Sequence, residues 1–282
     1  MSLAKDCGFK QTIPPPSNPP GLIPQKSFVC LRYESLSATF RYSMNYCQPL
    51  FDLAAPFLEK RALFDINTGA SLTYGALRNS VWRWSEHLRF VGIRPGDVVA
   101  IHLHNGIDFV QAHMAAQHLG SVSCLLDPLA QPKSMSYFLR ATRARVLLTH
   151  LPVEQIDQVT AGSTKIVSAA VFAAQAERRE IPDPAQAPHD WDAEAVCYIY
   201  FTSGTTSAPK GVPLTQSNHA SFFRIAEKYW RPTDEQSKHI CFVPFSHGFG
   251  SIFLIPWTIR TRSELHILRS FHPTKVVETI EI

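Results

Sequence analysis

Between Thr73 and Val91, the apolar residues Leu77, Val81, Trp84, Leu88 and Val91 recur at spacings of four, three, four and three. This pattern predicts a helix that buries one face. Thr73 offers a hydroxyl at its N-cap, and Gly92 leaves the helix at little conformational cost. Pro95-Gly96-Asp97 then predicts a turn, and the apolar run Val98 to Leu103 a buried strand of the parallel-sheet kind. The alternation continues with a helix from Ile107 to Leu119, stopped by Gly120, and a strand over Ser121 to Leu126. A helix over Lys133 to Thr142 and a strand over Arg145 to Thr149 complete this block.

Beyond Trp191 the same rhythm returns. It predicts a strand over Val196 to Phe201, a short strand-like Val212-Pro213-Leu214, a helix over Ser217 to Tyr229 and a strand over His239 to Val243. A helical stretch after His247, a strand over Glu264 to Leu268 and a helix starting at Pro273 follow. Strands alternating with helices imply an α/β fold: doubly wound, mainly parallel sheets with helices on both faces, in two packed subdomains. The proline-rich residues 1–26 read as a flexible leader, and Ile181 to His189 as a surface connection. The expected organisation is therefore a first α/β region over 27–189 and a second over 190–282.

Composition narrows the class. Of 282 residues, 45% are hydrophobic and 18% charged, a globular mixture that excludes wholly disordered or fibrous readings. A net charge of +4, with no basic run interleaved with aromatics, argues against nucleic acid as a partner. Arg140, Arg143 and Arg145 read as an exposed helix end. Cysteines at 7, 30, 47, 124, 197 and 241 form no C-x-x-C pair, which argues against zinc and a disulfide framework and favours a reducing cytoplasm. The N-terminal residues do not read as a signal peptide, and Ser251 to Ile259 is too short and proline-containing to span a membrane.

The chemistry concentrates in residues 199–211, IYFTSGTTSAPKG. Phosphate binding needs donors that converge on several oxygens. Thr202, Ser203, Thr205 and Thr206 supply hydroxyls, Gly204 lets backbone amides approach, and Lys210 adds a positive charge. Pro209 and the strand-like Val212-Pro213-Leu214 that follow imply that this loop joins two strands, and it lacks the Gly before Lys210 and the Ser or Thr after it that a Walker A loop needs. It begins where a strand ends, the place where doubly wound sheets bind ligands.

The order T-S-G-T-T-S-A-P-K-G closely resembles the ATP-binding signature of the AMP-binding, adenylate-forming superfamily of acyl- and aryl-CoA ligases and adenylation domains. Residues 72–128, opening LTYGAL and including RPGDVVAIHLHNG, resemble the family's first segment, and 134–149 the stretch that follows. VPFSHGFG at 243–250 is similar to the family's His-Gly-aromatic-Gly element at the acyl pocket, so the resemblance covers roughly residues 50–282.

That resemblance implies activation of a carboxylic acid by ATP to an acyl-adenylate, then transfer to a thiol of CoA or of a phosphopantetheine carrier protein. It implies Lys210 and His247 as catalytic residues, and Thr202, Ser203, Gly204, Thr205, Thr206, Ser207, Lys210 and Gly211 as the nucleotide site. Thr206 is implied at Mg²⁺, and Phe245, His247, Gly248, Phe249 and Gly250 at the acid, with Phe245 and Phe249 forming an apolar wall. Ser246-His247, where amino-acid adenylation domains carry an aspartate, tilts the substrate towards a fatty or aryl acid.

Two departures stand out. Ser207 replaces a family glycine, which raises the cost of positive φ in the loop. The sequence also reaches Ile282 without the family's Y-G-x-T-E and T-G-D segments, so the expectation is a front half holding part of the site, completed by a C-terminal half. A non-catalytic nucleotide-binding or interaction fragment, or a fragment of an amino-acid adenylation domain, remain the alternatives.

Overall fold

The computed structural model describes residues 45, 47–53, 55–159, 162–180, 190–202, 209–230 and 233–280. The expected leader over 1–26, the connection over 181–189 and the loop residues Ser203 to Ala208 lie outside the described residues.

Two short helices, α1 (Gln48–Phe51) and α2 (Ala55–Leu58), lead into β1 (Arg61–Asp65), β2 (Ser71–Thr73) and α3 (Tyr74–Phe90). Four strands follow with their helices: β3 (Val98–His102), α4 (Ile107–Leu119), β4 (Val122–Leu125), α5 (Pro132–Thr142), β5 (Val146–Thr149), α6 (Val153–Ile156), β6 (Lys165–Ser168) and α7 (Ala169–Ala176). After residue 190 come β7 (Val196–Thr202), β8 (Lys210–Thr215), α8 (Gln216–Tyr229) and β9 (Lys238–Cys241). A π-helix at Phe249–Leu254, α9 (Ile255–Thr261), β10 (Glu264–Ile267) and α10 (Pro273–Ile280) close the described fold.

The local signals act as expected where they are strong. The Thr73 hydroxyl accepts from the Ala76 amide at 3.2 Å and starts α3, whose Leu77, Val81, Trp84 and Leu88 are all buried. Gly120, at φ 85°, ends α4 in the left-handed region where a glycine costs least. Thr215 and Asn218 cap α8 reciprocally, each side chain accepting from the other's backbone amide. Arg140, Arg143 and Arg145 are exposed at and just beyond the end of α5.

Among the described residues ten strands form two sheets, ordered β6-β5-β3-β4-β7-β8 and β2-β1-β10-β9. All neighbours are parallel except the edge strands β8 and β2, which pair antiparallel with β7 and β1. β3 shows why helices cover both faces of the larger sheet. Val98 and Ala100 point into a core with Met135, Phe138 and Leu139 of α5, while Val99 and Ile101 point the other way, towards α3 and α4. That second core also holds Ala62, Leu63, Leu265 and Ile267 of the smaller sheet, so α3 and α4 are packed between the sheets. A helix enclosed in this way is buried nearly all round, and ten of the thirteen residues of α4 are buried.

Candidate functional site

Parallel strands deliver their loops to one edge of a sheet, and here the C-terminal ends of both sheets meet. Asn105, in the loop after β3, makes the junction. Its Nδ2 donates to the carbonyls of Val243 (2.9 Å) and Leu268 (3.0 Å), beyond β9 and β10 respectively. Its Oδ1 accepts from the Phe245 amide at 2.7 Å.

Beside this junction lies a cavity of about 510 Å³ lined by residues from several elements, Phe138 of α5 among them. Phe201 and Thr202 end β7, Asp127 follows β4, and Val243, Ser246 and His247 follow β9. Pro209 also lines it, so both feet of the predicted phosphate loop stand on its rim. Those feet are held in register: Thr202 pairs with Lys210, and Phe201 with Gly211, across the antiparallel β7–β8 ladder. The loop thus joins two strands, as Pro209 and Val212-Pro213-Leu214 imply. Tyr137 of α5 adds a tie, its hydroxyl donating to the Pro209 carbonyl at 3.0 Å. Lys210 is exposed, and among the described residues no carboxylate forms an ion pair with it.

His247 sits in a turn secured on both sides. Its amide donates to the Pro244 carbonyl (2.9 Å), and its own carbonyl accepts from the Gly250 amide (3.0 Å) and the Ser251 hydroxyl (3.1 Å). Because the Ser251 hydrogen is committed to that carbonyl, Tyr200 of β7 must donate in the 2.7 Å contact between the two hydroxyls. Burial pushes the Tyr200 phenol far above its ordinary range, which keeps it a neutral donor. The strand that carries the loop and the turn that carries His247 are therefore hydrogen-bonded together. The Phe249 amide donates to His247 Nδ1 at 3.2 Å, so a neutral ring carries its proton on Nε2.

The expected acid-pocket residues divide. His247 lines the first cavity, whereas Gly248 and Phe249 line a second of about 520 Å³, with Leu214, His219, Phe222 and Ile252. Phe245 lies in neither wall; it turns into the core, fully buried, its ring 5.3 Å from that of Phe109. Its amide is held by Asn105 Oδ1 at the same place. Gly250 is buried, and a Cβ there would lie 2.9 Å from Phe245 Cδ1 and 3.0 Å from Phe245 Cα. The helix after His247 begins as a π-helix, a distortion common at functional sites. Its Ile252 carbonyl accepts from His219 Nε2 at 3.0 Å. Burial holds His219 neutral, its pKa pushed down to about 4, and does the same to His113 at about 3.

Ser203, Gly204, Thr205, Thr206 and Ser207 lie outside the described residues. Asn105, Tyr137 and Ser251 were not singled out from sequence as site residues, since their partners are backbone or hydroxyl groups far along the chain. Among the described residues Cys47, Cys124, Cys197 and Cys241 are buried, and no metal-holding cluster of His, Cys, Asp or Glu occurs. Nor is any described helix long and apolar enough to cross a membrane.

Comparison with known proteins places the chain in a family. The profile described as AMP-binding enzyme matches residues 50–281. A 4-coumarate–CoA ligase of Humulus lupulus is 24% identical over 256 residues, covering 84% of this chain and 45% of that protein. An oxalate–CoA ligase of Arabidopsis thaliana is 29% identical over 211 residues, covering 71% and 40%. Among solved structures, ATP-bound MatB from Rhodopseudomonas palustris superposes with a TM-score of 0.74 at 22% identity, covering 85% of this chain and 48% of that one. The chain spans under half the length of these proteins.

Proposed function

We propose, from the premise that this chain belongs to the family of AMP-binding enzymes, that it contributes the nucleotide loop and part of the acid site to an AMP-forming acid ligase. The supporting observation is positional. Thr202 and Pro209, which flank the loop, line one cavity with His247, and Lys210 follows Pro209 as the strand partner of Thr202.

In this reading an acid carboxylate oxygen attacks the α-phosphorus of ATP. The new P–O bond gives the acyl-adenylate, and the bond to the β-phosphate oxygen breaks, releasing pyrophosphate. Lys210, with the amides and hydroxyls of Ser203 to Ser207, grips the β- and γ-phosphates and stabilises the charge that builds on the leaving group. Gly211, paired with Phe201, anchors the exit of the loop. Mg²⁺, held with help from Thr206, would neutralise part of the same charge. The exposed Lys210 suits an anionic ligand. His247 presents Nε2–H as a donor to the acid carboxylate, consistent with the Nδ1 contact to Phe249.

The second, largely apolar cavity, between α8 and Phe249, favours a fatty or aryl tail. A thiol of CoA, or of a carrier phosphopantetheine, would then attack the acyl carbon and expel AMP. The remaining groups of the reaction would come from a complementing C-terminal half.

Titration of the chain with Mg·ATP tests the reading. Amide resonances at Lys210 and Gly211 should shift, and Lys210→Ala should weaken binding about tenfold or more, the effect of losing one charge-assisted contact. Amides left unperturbed at millimolar nucleotide would sink it.

A further inference from the structure

We infer that Asn105 is a positioning residue that sets the orientation of His247 at the cavity. The inference rests on the proposed role of His247 at the acid. An amide side chain offers two N–H donors and one carbonyl acceptor, and Asn105 spends all three on backbone of the other sheet. Two of these contacts fall on Val243 and Phe245, either side of Pro244. They fix the Pro244 carbonyl, which accepts the His247 amide at 2.9 Å and so starts the turn. The turn in turn brings the Phe249 amide onto His247 Nδ1, which leaves Nε2 to carry the proton.

The third contact, to Leu268 beyond β10, references the arrangement to the smaller sheet. Asn105 is 5% exposed, so its partners would lose hydrogen bonds that water could not readily replace. No other residue type serves as well. Aspartate keeps the Phe245 contact but places a carboxylate against two carbonyls, and alanine satisfies none of the three groups.

The test reads the His247 ring directly, by long-range ¹H–¹⁵N correlation of the labelled chain at about pH 8, where an ordinary imidazole is neutral. The unmutated chain should show His247 as a single Nε2–H tautomer. N105A and N105D should convert it to a mixture of tautomers, while the buried His113 and His219 keep their wild-type signals. A Nδ1–H ring in the unmutated chain would overturn the inference. So would variants that leave His247 unchanged, or that also lose the His113 and His219 signals, since the residue would then hold the fold and not the turn. Benzoate, added to the same samples, separates this from the functional reading. A His247 response in the unmutated chain that disappears in N105A supports both. No benzoate response, with the tautomer change intact, fails the acid site and upholds the placement by Asn105.

Discussion

The larger sheet grows mainly from neighbours in sequence, whereas the smaller one closes across most of the chain. β3, β4, β5 and β6 are laid down by successive strand–helix units, and every residue of β3, β4 and β5 is buried. In the smaller sheet Leu63 stands in register with Leu265, and His239 of β9 with Leu265 on the other side. Its strands are amphipathic and carry charge: Arg61 contacts Glu264 at 2.6 Å, and Glu264 contacts His266 at 2.7 Å. One sheet is held by continuous apolar burial. The other relies on pairing partners that meet only after the chain has turned back.

The sharpest way to break this contrast is to open the apolar interior. Ile101→Ala, at a fully buried position facing α3 and α4, should cost about 4 kcal/mol, read as a lowered denaturation midpoint. A loss under about 1 kcal/mol would mean that the larger sheet does not depend on this burial.

Acid should act next, through the polar groups enclosed beside the larger sheet. His113 and His219 titrate near 3 and 4 in the fold but near the ordinary imidazole value of about 6.5 when unfolded. The unfolded chain therefore binds more protons below that value. Their contribution is complete above about pH 6.5 and falls as pH drops towards the folded values, by roughly 2 kcal/mol per histidine at pH 5. Denaturation midpoints compared at pH 7 and pH 5 measure it, and H219F should reduce the slope. An unchanged slope in H219F would remove this residue from the account.

The smallest effect belongs to the smaller sheet's charges. Glu264→Gln should cost about 1 kcal/mol, because the Arg61 side chain is 42% exposed and water already screens the pair. A cost above that of Ile101→Ala would reverse the comparison.

The same contrast governs what could be read from sequence. α3 was legible from its spacing and its Thr73 cap, α4 from Gly120, and β3 from an unbroken apolar run. β1 and β2 were not anticipated, since their short polar-flanked segments become strands only against β10 or each other. β6, at the sheet edge, and the alanine-rich α7 lacked a distinct period in the same way. Within the candidate site, the loop feet and His247 stood out by residue type and order. The burial of Phe245 did not, because its partners lie far along the chain: Asn105, which holds its amide, is 140 positions away.

Gly250 carries a constraint of a different kind. Its lack of a side chain allows the π-helix to rest directly on the backbone of Pro244 and Phe245. The two segments therefore cannot drift independently over evolutionary time. A lineage that gained even a methyl group at 250 would need a compensating change at 245, and it would risk shifting the imidazole that faces the cavity. Variation here should appear as a displaced His247 turn before it appears as an altered fold.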